Sequence, residues 1–191
     1  MGFNYALPVD PLDQALGDAI QTLQARYRKL RQPLRIEFNE GCWPGLAMAL
    51  EAAGLVQESR NPLMACRPDA FHRFTNIAVR VRFLEADPRY SSTRRAVGEI
   101  EGAVAGRASL GSIDGVAELY AVVTDPAFRR RGVAATLCSA LLQRHFDNGG
   151  TLVFLDAENP GAEALYAGLG FVRIGNRLTY AEPDEASFSR K

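Results

Sequence analysis

The 191-residue sequence has few cysteines, no net charge and no long apolar run. Its three cysteines, Cys42, Cys66 and Cys138, are widely spaced, which argues against a zinc site or a disulfide framework. The 22 basic and 22 acidic residues balance, so extensive binding to nucleic acid or to a membrane is not expected. No apolar run approaches the roughly 18 residues of a membrane span, and the N-terminus does not have the basic start and apolar stretch of a signal peptide. We therefore expect a cytoplasmic protein that binds no structural metal.

A hydrophobic content of 47% over this length is enough for one well-filled core with a small accessory subdomain. In the N-terminal third, apolar residues recur first at helical spacing, after Asp10 and Pro11, and then in short alternating runs. The predicted elements are a helix over residues 12–30, a strand over 34–38, a helix over 44–53 and a strand over 63–66. Together they define a small N-terminal αβαβ subdomain over residues 1–70.

After residue 70 the pattern changes to a run of strands followed by two helix–strand units. The first strand alternates apolar and polar residues and places a row of apolar side chains on one face, namely Ile77, Val79, Val81 and Phe83. The elements predicted in chain order are strands over 74–84, 96–100, 103–110 and 116–123, a helix over 132–146, a strand over 151–156, a helix over 161–167 and a strand over 171–180. This pattern predicts a mixed α/β domain over residues 71–181 and a polar tail over residues 182–191.

Two stretches of the chain resemble each other weakly. Residues 34–56 and residues 152–172 both show the pattern strand, helix, glycine, strand. Chance similarity between two amphipathic units explains this as well as a true repeat does. A true repeat would make the N-terminal third a degenerate half-domain without a glycine-rich loop.

The most informative segment joins a predicted strand to a predicted helix. It runs through Asp125 and Pro126 to residues 129–134, Arg-Arg-Arg-Gly-Val-Ala, which we call the Arg–Gly loop. Backbone N–H groups at a helix start have no acceptor within the helix and share the positive end of the helix dipole, so they bind anions such as a diphosphate. Gly132 allows a ligand to approach the backbone, Ala134 keeps the next turn clear, and the arginines add charge at the rim. Three arginines alone are typical of a solvated surface, so the strand before and the helix after are what indicate an anion site.

The Arg–Gly loop resembles motif A of the GNAT acetyltransferase superfamily, whose pattern is Gln/Arg-x-x-Gly-x-Gly/Ala, with Arg129, Gly132 and Ala134 at its fixed positions. Residues 159–171 are similar to motif B of the same family, and the resemblance extends over residues 74–180. It implies the GNAT acyl-CoA N-acyltransferase fold, an α/β fold with a mixed sheet whose central strands splay apart. It also implies acetyl-CoA as the acyl-donor substrate and no metal cofactor.

The resemblance assigns the cofactor contacts residue by residue. The pantetheine arm is expected to lie between the strands over 116–123 and 151–156 and to bond main-chain groups of the first, while the Arg–Gly loop wraps the pyrophosphate. Asn159 is expected to orient the cofactor or the acceptor near the mouth of this gap, and a turn or helix-capping role before Pro160 is the alternative. The expected cofactor-binding residues are Val122, Val123, Arg129, Arg130, Arg131, Gly132, Val133, Ala134 and Asn159.

Two catalytic residues are predicted. Tyr166 matches the tyrosine that the family places near the coenzyme sulfur, where a phenol of pKa about 10 can protonate a thiolate whose thiol has a pKa of about 8.5. A packed core aromatic is the alternative. Glu118 resembles in its placement the catalytic glutamate of the histone-acetyltransferase branch, and a carboxylate suits an amine that is mostly protonated at neutral pH. A solvent-facing residue, or one held by Arg107, is the alternative here, since many relatives need no dedicated base.

The sequence departs from the family between its first two strands. Relatives usually have two helices there that shape the acceptor site, whereas this chain has only residues 85–94. Residues 1–68 or a second subunit of a homodimer could supply the missing wall; a closed groove would suit a small molecule and an open one a peptide. The resemblance implies an N-acetyltransferase that moves an acetyl group to a primary amine by direct attack in a ternary complex. A non-catalytic acetyl-CoA-binding sensor or scaffold module is the alternative from another functional class.

Overall fold

The computed structural model describes residues 6–9, 16–84 and 92–183. Within these residues the chain forms four α-helices and eight β-strands. In chain order they are α1 (Leu16–Lys29), β1 (Arg35–Asn39), α2 (Leu46–Ala52), β2 (Val56–Cys66), β3 (Arg80–Phe83), β4 (Thr93–Ile100), β5 (Ala103–Ile113), β6 (Val116–Thr124), α3 (Val133–Asp147), β7 (Leu152–Asp156), α4 (Pro160–Gly168) and β8 (Val172–Ala181). None of these helices is long and apolar enough to cross a membrane.

The first of two compact units comprises Met1–Leu63 and Gly175–Lys191. Its strand order is β1-β8-β2, and β1 pairs antiparallel with β8, so that Arg35 lies opposite Ala181. Helix α1 buries Ile20, α2 buries Leu46 and Leu50 one turn apart, and β1 buries the alternate residues Ile36 and Phe38, because each element turns one face inward. These faces form a single core of Ile20, Leu34, Ile36, Phe38, Leu46, Leu50, Leu55, Leu178 and Tyr180.

The second unit, Met64–Ile174, contains a mixed sheet. Strand β2 begins in the first unit and ends in the second, because it extends past Leu63 to Cys66. The strand order of the second unit is β2-β7-β6-β5-β4-β3, in which the neighbours from β3 to β6 are antiparallel and β6 and β7 are parallel. Two-residue turns close the hairpins, with φ of 52° and 81° at Glu101 and Gly102 and of 49° and 81° at Asp114 and Gly115, as type I′ turns require. Helix α3 packs on this sheet through Val133, Leu137, Cys138, Leu141 and Leu142.

The mixed α/β architecture predicted from the sequence is confirmed, and every helix and strand predicted between residues 92 and 181 is present. Strand β5 is longer than predicted and runs to Ile113, because the loop expected from Gly111 is a two-residue turn. Strand β2 is also longer and begins at Val56 rather than at residue 63.

The strand predicted over residues 74–84 is wrong in its first half. Only Arg80–Phe83 is a strand, and Ile77 is fully exposed instead of joining a buried row. The amides of Phe74 and Asn76 donate to hydroxyl groups of α3 and not to a neighbouring strand. Alternating apolar residues predict a strand in this segment, but side chains of α3 accept the hydrogen bonds of its backbone amides in place of a neighbouring strand.

The predicted organisation into subdomains stays a prediction. The compact units divide after Leu63 and after Ile174 rather than at residue 70, since β8 pairs with β1. The segments β1–α2–β2 and β7–α4–β8 share one order of elements, which is the order that the weak repeat predicts. The proposed first-helix start at Asp10 and Pro11, and residues 184–191 of the predicted tail, lie outside the described residues.

Gly170 follows α4 with a φ of 95°, and a Cβ there would lie 1.9 Å from the carbonyl oxygen of Ala70. Because both the positive φ and the backbone overlap oppose a side chain, Gly170→Ala should lower the free energy of unfolding by about 2–3 kcal/mol. Gly168→Ala is the matched control, since nothing lies within 4 Å of its Cβ position, and we expect a change of at most about 1 kcal/mol there. Urea unfolding measures both variants, and equal midpoints would contradict the packing of Ala70 on Gly170.

Candidate active site

Strands β6 and β7 run side by side over only part of their length. Parallel pairing joins Val116 to Leu152 and ends where Glu118 pairs with Phe154. Strand β6 continues to Thr124, and no further pair with β7 occurs among the described residues. On that side, the backbone of β6 beyond Glu118 therefore has no pairing with β7 in the described part of the chain, and we call this unpaired edge of β6 the gap. The splayed sheet that the resemblance implies is present.

A β-bulge lies in the part of β6 that borders the gap. Ala121 has a φ of 51°, and the register with β5 shifts between Arg107 and Ser109. An extra residue in a strand reverses the alternation of its side chains. Val122 consequently packs against the core, whereas Val123 is 46% exposed. Since the side chain of Val122 is engaged in the core, a ligand in the gap would meet its main-chain groups.

The Arg–Gly loop follows the 3₁₀ turn Pro126–Phe128 and leads into α3. The side chain of Asp125 fixes this turn, because it accepts a 2.9 Å hydrogen bond from Ala127 N. Beyond the turn, Arg130 and Gly132 adopt the left-handed conformation, with φ of 62° and 71°. Gly132 is the N-cap of α3, where the absence of a Cβ removes the penalty for this conformation.

The backbone amides in the first turn of α3 form no hydrogen bonds within the helix. The first helical bond joins Thr136 N to Gly132 O at 3.0 Å, so the amides of residues 133–135 have no acceptor within the helix. Gly132 has no side chain that could cap them. The three arginines of the loop are exposed, and Arg131 lies over the ring of Phe128 at 5.4 Å. The helix dipole, these amides and three guanidinium groups together suit an anion.

Tyr166 lies on α4 and is buried, with 8% of its surface exposed. Its ring contacts Phe171 at a centroid distance of 5.8 Å, within the core that also contains Cys138. Burial raises the pKa of its hydroxyl, and the nearby groups Cys138, Glu158 and Asp156 raise the pKa further. This hydroxyl has no hydrogen-bond partner among the described residues. Since every fully buried polar side-chain atom among them has a partner, the hydroxyl is not fully buried and reaches accessible space. Tyr166 is thus a packed aromatic that presents a protonated phenol.

Asn159 caps α4. Its Oδ1 accepts a hydrogen bond from Ala162 N at 3.0 Å, and its carbonyl oxygen accepts one from Glu163 N at 3.0 Å. Pro160 follows at the first helical position, where no N–H is needed. The capping role weighed for this residue is therefore present, and a contact with a ligand would use Nδ2, which takes no part in the cap.

Glu118 is half-buried and is the last residue of β6 that pairs with β7. Its neighbours Ala117 and Leu119 point into the core, so the side chain of Glu118 lies on the other face of the sheet. Arg107, which pairs across the sheet with Val123, forms no ion pair within the described part of the chain. Glu118 therefore stands where the two strands separate, and Arg107 does not hold it there.

Two cysteines of the second unit are unsuited to nucleophilic chemistry. Cys138 on α3 is fully buried, and burial raises the pKa of its thiol to about 12. Cys66 is also buried, and burial together with Asp69 raises the pKa of its thiol to about 11. Because only the thiolate is a nucleophile, neither side chain can accept an acyl group readily at neutral pH.

Sequence reasoning missed Phe74 and Asn76, which lie beside the Arg–Gly loop. A Cβ at Gly132 would be 3.3 Å from Phe74 Cε1 and 3.4 Å from Asn76 Nδ2. No local pattern could have indicated these contacts, since they join segments that are far apart in the chain. All the residues that the sequence predicts for the site lie, like these two, in the second unit.

Comparisons with known proteins agree on one family. The sequence profile of the Acetyltransferase (GNAT) family matches residues 60–171, more than half of the chain. A GCN5-related N-acetyltransferase from Kribbella flavida is similar in structure over 97% of this chain and 83% of its own, with 23% identity and a TM-score of 0.83. A tandem GNAT protein from the clavulanic acid biosynthesis pathway is similar over 96% of this chain and 77% of its own, with 16% identity and a TM-score of 0.71. No curated protein shows significant similarity in sequence.

At these identities the structural likenesses show the fold, and the family profile shows the relationship in sequence. The profile spans the Arg–Gly loop, both strands that border the gap, and Tyr166. The chain therefore belongs to the acetyltransferase (GNAT) family and is an acyltransferase.

Proposed function

We propose that the protein transfers an acetyl group from acetyl-CoA to a primary amine by direct attack in a ternary complex. The start of α3 is the observation that carries this proposal, because its amides and the three arginines adjoin the end of β6. A helix start with such donors suits a diphosphate. The gap that borders the same strand suits an extended arm attached to that diphosphate.

The residues present fit coenzyme A. The amides of residues 133–135 and the guanidinium groups of the Arg–Gly loop supply donors for a pyrophosphate. Gly132 adopts the left-handed conformation of the loop without the penalty that a Cβ would add. Val122 and Val123 would hold the arm through main-chain groups, and Asn159 would contact it through Nδ2. Acetyl-CoA supplies a thioester, whose acyl carbon reacts with an amine and whose sulfur leaves as a thiolate.

Tyr166 is proposed to protonate the departing sulfur. Its raised pKa keeps the hydroxyl protonated at neutral pH, so it can donate a proton but cannot act as a base there. The hydroxyl reaches accessible space although the ring is packed. Packing also holds the ring in one place, which a positioned proton donor requires.

Glu118 is proposed to accept the proton of the attacking amine, directly or through water. An alkylamine with a pKa of about 10.4 is almost entirely protonated at neutral pH, so deprotonation must precede attack. Glu118 is the last residue of β6 that pairs with β7, which supports a carboxylate at the inner end of the gap. Tyr166 and Glu118 would thus divide the roles of acid and base between two elements.

Direct attack is favoured over a covalent acyl-enzyme. A relay through Cys138 or Cys66 would need a thiolate, and burial raises the pKa of both thiols far above neutrality. The acyl group would therefore pass straight to the amine, which requires that both substrates be bound together.

The acceptor is proposed to be the amine of a small molecule or of a peptide. The connection between β3 and β4 spans residues 84–92, of which 85–91 lie outside the described residues. The sequence has only residues 85–94 in the interval where relatives usually have two helices. Other parts of the chain, or a second copy of it, would have to complete the acceptor site.

The release of thiol from acetyl-CoA, measured with a panel of amines, amino acids and peptides, tests the proposal. We expect turnover with at least one acceptor and intersecting double-reciprocal plots, because both substrates must be bound before reaction. Parallel plots would indicate a covalent relay and contradict direct attack. Tight binding of acetyl-CoA without turnover on any acceptor would favour the sensor or scaffold alternative.

A further inference from the structure

The segment that precedes β3 is fixed to the first turns of α3. Phe74 N donates to Ser139 Oγ at 2.9 Å, and Asn76 N donates to Thr136 Oγ1 at 3.2 Å. Both accepting residues are buried, with 2% of Ser139 and 4% of Thr136 exposed. Two backbone amides thus anchor the segment beside the Arg–Gly loop, inside the second unit.

Asn76 uses both ends of its side-chain amide. Its Nδ2 donates to Arg131 O at 2.9 Å, and its Oδ1 accepts from Ala78 N at 3.0 Å. These partners fix the orientation of the side-chain amide. In a flipped amide, Oδ1 would face the carbonyl oxygen of Arg131 and Nδ2 would face the N–H of Ala78, and neither pair can form a hydrogen bond. Asn76 therefore presents a hydrogen-bond donor to the Arg–Gly loop.

Two consecutive carbonyl groups of the Arg–Gly loop accept hydrogen bonds on the side where Asn76 and Thr136 lie. Arg131 O accepts from Asn76, and Gly132 O accepts from Thr136 Oγ1 at 2.9 Å. In a planar trans peptide the N–H points opposite to the C=O. Holding these carbonyls therefore directs the N–H groups of Gly132 and Val133 away from Asn76 and Thr136, where they can meet an anion.

We propose that Asn76 is a positioning residue of the coenzyme site, which holds the Arg131 carbonyl so that the amide of Gly132 faces the diphosphate. This inference rests on the proposed function. Without the bond, the peptide unit between the two residues gains freedom, and its ordering on binding costs affinity. Asn76 touches no reacting atom, so its loss should raise the KM for acetyl-CoA and leave kcat unchanged.

Calorimetric titration of the full chain with coenzyme A tests this role. We expect Asn76→Ala to weaken binding about tenfold, the effect of losing one hydrogen bond that organises a site, and to raise the KM for acetyl-CoA by a similar factor. Asn76→Asp keeps the bond from Ala78 N but replaces the donor with an acceptor, so we expect at least the same loss. Thr75→Ala alters an exposed neighbour in the same segment and should bind as the wild type does.

Asn76→Asp separates positioning from turn formation. Wild-type affinity in Asn76→Asp would overturn the inference, because it would show that only the bond with Ala78 matters. Wild-type affinity in Asn76→Ala would overturn it as well. A fall in kcat at an unchanged KM would also overturn it. If circular dichroism shows that Asn76→Ala does not fold, Asn76→Asp carries the test. A wild-type chain that binds no coenzyme A would instead contradict the proposed function.

Discussion

Gly132→Glu should weaken the binding of coenzyme A about a thousandfold, which corresponds to about 4 kcal/mol. The new carboxylate would lie at the start of α3, and two unit charges about 4 Å apart repel by about 4 kcal/mol at an effective dielectric constant of about 20. Its Cβ would also lie 3.3 Å from Phe74 Cε1. The fold should persist, because the helix dipole favours an acidic side chain at this end. Isothermal titration calorimetry measures the loss.

Gly149→Glu is the matched control for this substitution. Gly149 has a φ of 85°, compared with 71° at Gly132, and nothing lies within 4 Å of its Cβ position. The two variants therefore add the same charge at a similar backbone cost of about 1 kcal/mol, but only one places the charge at the start of α3. Wild-type affinity in both would show that the diphosphate binds elsewhere, and an equal loss in both would point to a general effect of charge or strain.

Tyr166→Phe should lower kcat by at least about a hundredfold, within the range that a general acid contributes, and should leave the affinity for coenzyme A within about twofold of wild type. The substitution removes the proton donor and retains the packed ring. Because the pKa of the Tyr166 hydroxyl is raised, the donor stays protonated well into the alkaline range. The kcat of the wild type should therefore show no descending limb below about pH 10, the ordinary pKa of tyrosine.

Tyr180→Phe is the control for the loss of a buried tyrosine hydroxyl. Tyr180 lies in the first unit, and its hydroxyl donates to Glu51 Oε1 at 2.8 Å. We expect this variant to lose about 1 kcal/mol of stability, as for a single hydrogen bond, and to retain its kcat. If Tyr166→Phe retained wild-type kcat as well, Tyr166 would be a core aromatic without a catalytic role.

Most of the second unit could be predicted from the sequence because its signals are local. The pair Glu101 and Gly102 indicates a tight hairpin, and its positive φ angles bear this out. The apolar spacing along α3 predicts the face that it buries, which includes Leu137 and Leu141. The sequence singles out Gly132, between a strand end and this helix, as a point of ligand approach, and the structure shows that it is also the N-cap of α3.

The remainder depends on contacts between distant parts of the chain. Strand β1 pairs with β8, near the other end of the sequence, and periodicity in either strand cannot select that partner. The alternation around Ile77 predicts a strand, but buried hydroxyl groups of α3 take up the amides of Phe74 and Asn76. The contact of Asn76 with the Arg–Gly loop depends on the same docking. Motif spacing therefore located the loop but not the residue that supports it.

The central claim is that the amides at the start of α3 bind the diphosphate of coenzyme A, and an amide NMR titration of the isotope-labelled chain tests it most directly. The largest saturable shifts should occur at residues 132–135, because their N–H groups would gain acceptors, while the core of the first unit around Ile36 and Leu178 should not respond. Saturable binding with its largest shifts elsewhere, and none at residues 132–135, would contradict the claim.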